Sequence, residues 1–323
     1  EGHRLGLFGR VAALAWNTAP IRPHETTLSG PKRDRLALLR TTRMHTSAVF
    51  GLWDGAPGLA ECLHRATAGP ANAEGTFPGE VGDETMRLWT VTDPELLGAI
   101  QGALIPARLY IADGHHRYET AAAYAQERRA ADPGAPADAD FTTCLVYLCA
   151  VDDPGLVLWP THRLIRPRAG VPTGIEELLG CLGGRFLATR TASLGDATSM
   201  AAAHPSRDHA FAVVTADGSA VLSRERDPGA TPRQQLDVAV LEDQLLRPLS
   251  LTADDLRAGA LLYERDPEAV QGAVSRGEAA VGIVLRGCRV EDMLAIASAG
   301  ETMPQKSTYF YPKVPTGVVL ASA

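Results

Sequence analysis

The segment Arg108-Leu109-Tyr110-Ile111-Ala112-Asp113-Gly114-His115-His116-Arg117 constrains the fold more than any other, because an apolar strand pattern runs through a single glycine into a helical one. From Arg117 to Arg129, Tyr118, Ala121, Ala122 and Ala125 share one side of the predicted helix, and Arg128 and Arg129 suit the negative end of its dipole. The same alternation recurs along the chain. Apolar stretches at 5–16, Ser47–Trp53 and Phe141–Val151 read as strands. Pro31 opens an amphipathic helix over Lys32–Met44, Gly58–Arg65 reads as a short helix, and Thr92-Asp93-Pro94-Glu95 starts one that reaches Leu104. Gly69–Gly82 and Ala130–Asp140, rich in Gly, Pro and Ala, read as loops.

A second half begins near Thr161. Helices are expected at Thr173–Leu182, Ala197–Ala203, Leu236–Leu246, Pro267–Ser275 and Val290–Ala297, with a further helix start at Thr252-x-x-Asp255. Strands are expected at Arg185–Arg190, Ala279–Leu285 and Gly317–Ala321, and Ala216-Asp217-Gly218 turns a hairpin between Ala210–Thr215 and Ala220–Ser223. Helices and strands therefore alternate throughout, which defines a mixed α/β fold in two parts, 1–160 and 161–323.

Composition narrows the function classes. Lys plus Arg number 31 against 38 Asp plus Glu, a formal charge of −7, so the average field repels nucleic acid and anionic membrane, and DNA is an unfavourable partner. No apolar run approaches the roughly 20 residues that cross a bilayer. The start, Glu1-Gly2-His3-Arg4, has neither an initiator Met nor a signal-peptide core, and an upstream portion is expected to be missing. Five scattered cysteines make no disulfide framework or zinc site, so buried thiols in a reducing cytoplasm are expected.

Chemistry concentrates in two segments. In the first, a strand turns through Gly114 into a helix N-terminus, where backbone N–H groups and the helix dipole favour an anion. His115, His116 and Arg117 add donors there, and phosphate is the natural ligand. Asp113 has three roles open to it: capping the helix, coordinating Mg²⁺, or positioning a hydroxyl. A plain capped helix with two surface histidines fits the same residues. The second segment is Met303-Pro304-Gln305-Lys306-Ser307-Thr308-Tyr309-Phe310-Tyr311-Pro312-Lys313. Gly300–Ser307 imitates a Walker A loop with Gln305 in place of the second Gly, but a helix rather than a strand precedes it. Lys306, Ser307 and Thr308 are candidate phosphate ligands; a C-terminal strand closing the core is the alternative. His24-Glu25 is half of a zinc-protease motif without its second His, which read alone is a surface turn. There is no G-x-S-x-G elbow and no G-x-G-x-x-G fingerprint.

Together, Tyr110–Ala121 and Met303–Lys313 resemble the two signature segments of the bacterial and archaeal family called domain of unknown function 1015, and Pro23-His24-Glu25-Thr26 with Lys32 and Asp34-Arg35 resembles a third. Pro23 after Arg22 departs from the family's pattern and leaves Glu25 in register. The D-G-H-H-R segment is also similar to the phosphate-binding turn of the ParB and sulfiredoxin-like superfamily, which includes an ADP-dependent free serine kinase. The resemblance implies a ParB/sulfiredoxin-like first half with a nucleotide site at Gly114, His115, His116 and Arg117.

On that basis the expected activity is a cytoplasmic nucleotide-dependent phosphotransferase, a kinase acting on a small hydroxylated metabolite such as free serine, with ATP or ADP and Mg²⁺. Glu25 is the expected general base, Asp113 the ligand of Mg²⁺ or of the hydroxyl, and Lys306 the group that meets developing charge. A non-catalytic nucleotide-binding regulator is the alternative. Substrate and oligomeric state are not legible.

Overall fold

The computed structural model describes residues 2–25, 29–249, 251, 255–256, 258–304 and 306–323, with backbone alone at 29–31. Thr26 of the third signature segment, the helix start at Thr252 and Gln305 lie outside the described residues. The chain divides into two compact units, Glu1–Val157 with Phe310–Ala323, and Leu158–Tyr309.

Up to Val157 the first unit runs β1 (Gly6–Ala12), β2 (Ile21–Arg22), α1 (Ser29–Thr42), β3 (Met44–His45), β4 (Val49–Asp54), α2 (Leu59–Ala66), β5 (Ala73–Gly79), β6 (Gly82–Leu88), α3 (Pro94–Leu104), β7 (Arg108–Asp113), α4 (His115–Ala131) and β8 (Thr143–Ala150). Five strands make one mixed sheet in the order β1-β8-β4-β7-β2. β8 is internal and buried on both faces, which is why it reads as the unbroken apolar run Cys144–Cys149. Both of its cysteines are buried thiols, as expected, and so is Cys62, whereas Cys181 is exposed and Cys288 half-buried, against the expectation. Beside it, β4 carries Gly51 because a Cβ there would lie 2.6 Å from Leu148 Cδ2. α3 begins where the sequence placed it: Asp93 accepts from the N–H groups of Glu95 and Leu96, and Pro94 opens the first turn.

Two expectations are corrected here. Gly69–Gly82 is not wholly loop, for β5 and β6 form a hairpin with Gly79 opposite Gly82. Its residues are exposed or half-exposed, and the alternating apolar residues expected over Thr85–Val91 put Met86 and Leu88 on the half-exposed side of β6; a Thr76–Thr85 hydroxyl contact of 2.9 Å and the Arg87–Glu74 pair at 2.7 Å cross-link the hairpin. Gly317–Ala321 is not a strand of that length, since only Ala321–Ser322 pairs, with β3.

The second unit is built on a six-stranded antiparallel sheet, in the order Leu187–Thr191, Gly218–Glu225, Asp208–Thr215, Val281–Leu285, His162–Ile165, Leu261–Glu264. The helices Leu194–Ala203 and Pro267–Ser275 supply Leu194, Ala197, Ala201, Val270, Ala273 and Val274 to one buried cluster with Leu164, Ala212, Val214 and Val284 of the sheet. The helix expected over Leu236–Leu246 starts as an α-helix at Asp237–Val240 and continues as a π-helix at Leu241–Leu246. Asp237 at its start is half-buried between two guanidinium groups and an imidazole: Arg226 Nη2 and His209 Nδ1 reach Oδ1 at 2.8 Å, and Arg286 Nε reaches Oδ2 at 3.0 Å. Among the described residues no helix is long and apolar enough to cross a membrane.

Candidate functional site

The site in the first unit grows from the carboxyl end of β7. Tyr110, Ile111 and Ala112 are buried, and Asp113 emerges half-exposed before the turn. Gly114 has φ 95° and ψ 27°, a left-handed conformation that glycine adopts without steric cost. A Cβ there would also lie 2.7 Å from Arg117 Nε. Gly114 is the cap residue of α4, whose first turn closes through Arg117 N–H and Tyr118 N–H donating to Gly114 O at 2.9 and 3.1 Å. Asp113 is directed elsewhere. Its Oδ2 accepts from Arg117 Nη2 at 3.0 Å and stands 3.7 Å from Lys313 Nζ.

Arg117 is enclosed. Its Nη1 donates to Ser47 Oγ at 2.5 Å and to Ala48 O, so the guanidinium ties α4 to the chain entering β4. Burial lowers its pKa against the opposing pull of Asp113.

β2 pairs parallel with β7, Ile21 opposite Leu109 and Arg22 opposite Tyr110, and the chain continues through Pro23 and His24 to Glu25, whose charge acts on Lys313. His24, wholly buried, bonds through Nδ1 to Ile111 O at 2.6 Å, and its backbone N–H donates to His115 Nε2 at 3.2 Å. The two rings meet edge to face with centroids 4.7 Å apart. A ring nitrogen facing a carbonyl must carry hydrogen and one facing an N–H must not, so His24 carries hydrogen on Nδ1 and His115 leaves its Nε2 unprotonated. Burial holds His24 down to about 4 and His115 well below its ordinary value. Neither His24 nor His115 is therefore on the surface, as a plain reading of the sequence had them. Glu25 is half-buried, with Oε1 4.0 Å from His24 Nε2. His116 is half-buried on the first turn of α4, where its carbonyl accepts from Thr120 Oγ1 at 2.7 Å.

Lys313 is the residue that sequence reasoning left without a role. Phe310, fully buried, packs at 6.1 Å from both Phe50 and His24, and Arg4 Nη1 donates to Pro312 O at 2.5 Å, so the backbone on either side of Tyr311 is anchored in the first unit. That places Lys313 at Asp113 across 200 positions of sequence. The signal for it in sequence was its place at the end of the signature segment Met303–Lys313, a C-terminal stretch of the 161–323 part expected to return to the site.

Lys306, Ser307 and Thr308 belong to the second unit. Lys306 is exposed in a left-handed conformation, φ 57°, that costs a side-chain-bearing residue roughly 1–2 kcal/mol. Its carbonyl accepts from Arg163 Nη2 at 3.2 Å, and the buried Ser307 bonds through Oγ to Pro304 O. Thr308 is half-buried. Among the described residues no group of three or more His, Cys, Asp or Glu is placed to hold a metal ion.

Fold and site thus define a mixed α/β protein with a strand–glycine–helix turn lined by both signs of charge. Residues 1–239 match the sequence model of the family described as "Protein of unknown function (DUF1015)", and the chain belongs to that family. No curated protein matches it. Among solved structures it is similar to a conserved hypothetical protein from Pyrococcus furiosus, at 13% identity and TM-score 0.46 over 98% of this chain and 94% of that one. A free serine kinase in complex with AMP is similar at 12% identity and TM-score 0.47, over 98% and 93%. SbnI from Staphylococcus aureus, solved with a C-terminal truncation, is similar at 13% identity and TM-score 0.47, over 96% and 85%.

Proposed function

We propose that the first unit binds nucleotide phosphate at the N-terminus of α4 and that the protein is a nucleotide-dependent phosphotransferase, transferring phosphate to a small hydroxylated metabolite. The observation that carries this reading is the meeting of Asp113, Arg117 and Lys313 at the left-handed Gly114 turn, where the charge of Glu25 also acts on Lys313. Phosphoryl transfer asks a protein mainly for positioning and charge neutralisation, and this turn offers both.

In this reading the first-turn N–H groups of α4, with Gly114, His116 and Lys313, meet phosphate oxygens. Arg117 and the neutral His115 hold the turn in shape. Glu25 takes the proton of the acceptor hydroxyl as its oxygen bonds to phosphorus and the phosphorus–oxygen bond to the nucleotide breaks. Mg²⁺ typically uses only one or two protein carboxylates and otherwise phosphate oxygens and water, so a single carboxylate, Asp113, fits an ion that arrives with the nucleotide and neutralises its charge.

Titration with ADP and ATP, followed by assay for a phosphorylated product from a panel of hydroxylated amino acids and sugars with free serine first, tests the reading. Glu25→Gln is expected to keep nucleotide binding and lose turnover by about 10²-fold or more, the usual contribution of a general base. Absence of nucleotide binding by the wild-type protein sinks the whole reading. Binding without product from any acceptor favours a nucleotide-responsive regulator instead.

A further inference from the structure

We propose that Asp113 acts as an internal stand-in for phosphate, and that Lys313 is the residue handed over: a bound phosphate takes Lys313 from Asp113 while Arg117 stays in place. This rests on the phosphate-binding reading above and assigns the exchange to particular atoms.

The argument starts from the inequality of the two cations on Asp113. Arg117 is fixed by the fold, since Nη1 donates to Ser47 Oγ and to Ala48 O while Nη2 donates to Asp113 Oδ2. The missing Cβ of Gly114 leaves the space its guanidinium fills. Turning Arg117 toward a ligand would strand the Ala48 carbonyl and break the tie between α4 and β4. Lys313 differs in chemistry and in geometry. It is a compact ammonium on a flexible four-carbon stem with three rotatable donors, a third exposed, and it stands 3.7 Å from the same carboxylate oxygen. Its backbone is anchored through Phe310 and the Pro312 carbonyl, so the ammonium can swing without moving the chain. A phosphate oxygen at the first turn of α4 competes directly with Asp113 for that ammonium, and the helix N-terminus favours the anion. Asp113, relieved of one cation, then faces the ligand side.

The test is calorimetric titration with ADP and with inorganic pyrophosphate, in EDTA so that no metal contributes, on wild type, Lys313→Met, Asp113→Asn and the double variant. Lys313→Met is expected to weaken both ligands about tenfold and to flatten the salt dependence of binding, as loss of one cation from a phosphate site does. Asp113→Asn removes the competitor and is expected to tighten metal-free binding several-fold, an effect that disappears in the double variant because the competition runs through Lys313. A gain of affinity is not what damage to the fold produces, so the Asn variant separates exchange from misfolding. Equal affinity in wild type and Lys313→Met, or weaker metal-free binding by Asp113→Asn, overturns the exchange and leaves phosphate binding standing. If the wild type binds neither ligand, the phosphate reading falls and the exchange falls with it.

Discussion

At the scale of single residues, the cost of burying charge sets the most direct expectations. His162 is almost wholly inside the second unit, where its Nδ1 accepts from Leu285 N–H at 3.3 Å and burial holds it down to about 4. In the unfolded chain it titrates at 6.5. Between those values the unfolded chain binds the proton and the folded one does not, so stability is full above pH 6.5 and falls as pH drops toward 4. The loss is about 3 kcal/mol from this residue alone. His24 follows the same sign in the first unit. Urea unfolding at pH 7 and pH 4.5 should show a smaller acid loss in His162→Gln than in wild type; an equal loss assigns the acid sensitivity to other groups. Asp237 gives the opposite case, a carboxylate whose burial is outweighed by His209, Arg286 and Arg226 and whose pKa is lowered. Asp237→Asn leaves two guanidinium groups facing a neutral amide, and a destabilisation of about 3 kcal/mol is expected in denaturant melts.

At the scale of elements, legibility followed burial and local chemistry. The helices Pro94–Leu104 and Pro267–Ser275 were readable to the residue or nearly so because an aspartate cap and a proline mark each start. β7 and α4 were readable because the strand–glycine–helix change of period is local, and with them Asp113 and Gly114. The strand His162–Ile165 was not, since His162 and Arg163 look polar in sequence and are interior in the fold, Arg163 donating to Thr161 O at 2.6 Å and lying over the Tyr263 ring at 4.6 Å. For Lys313 only part was readable: its segment Met303–Lys313 was expected to return to the site, but the choice of Asp113 as its partner depends on where Phe310 is buried, which is a matter of tertiary packing. Phe310→Ala is accordingly expected to cost about 4 kcal/mol as a core truncation. If Phe310 is also what places Lys313, the variant should lose ADP affinity even under conditions where circular dichroism shows it folded. Retained affinity in the folded variant would mean that Arg4 on the Pro312 carbonyl suffices.

At the scale of the whole molecule, the two units close their folds at different points along the chain. Every strand of the six-stranded sheet lies between His162 and Leu285, so that sheet is complete within one continuous stretch. The first unit instead uses residues from both ends. Arg10 Nη2 donates to Ser322 Oγ at 3.0 Å, Gly317 N–H to Thr46 O and Ala323 N–H to Arg43 O at 2.9 Å, and Ala321–Ser322 pairs with β3, in addition to Phe310 in the core and Lys313 at Asp113. Deleting Phe310–Ala323 removes all of these at once and opens a cavity of phenylalanine size between Phe50 and His24. The expected result is loss of hydrogen-exchange protection in β4 and β7, with protection in Asp208–Thr215 and Val281–Leu285 unchanged. Supplying the missing stretch as a separate peptide should restore part of the protection in β4, because the contacts it makes are side-chain burial and short strand pairing rather than chain connectivity. Protection in β4 and β7 equal to that of the full chain would show that the closing segment rests on a unit already stable without it. The candidate site would then depend on the C-terminus for Lys313 alone, and Lys313→Met and the deletion should weaken phosphate binding by the same factor.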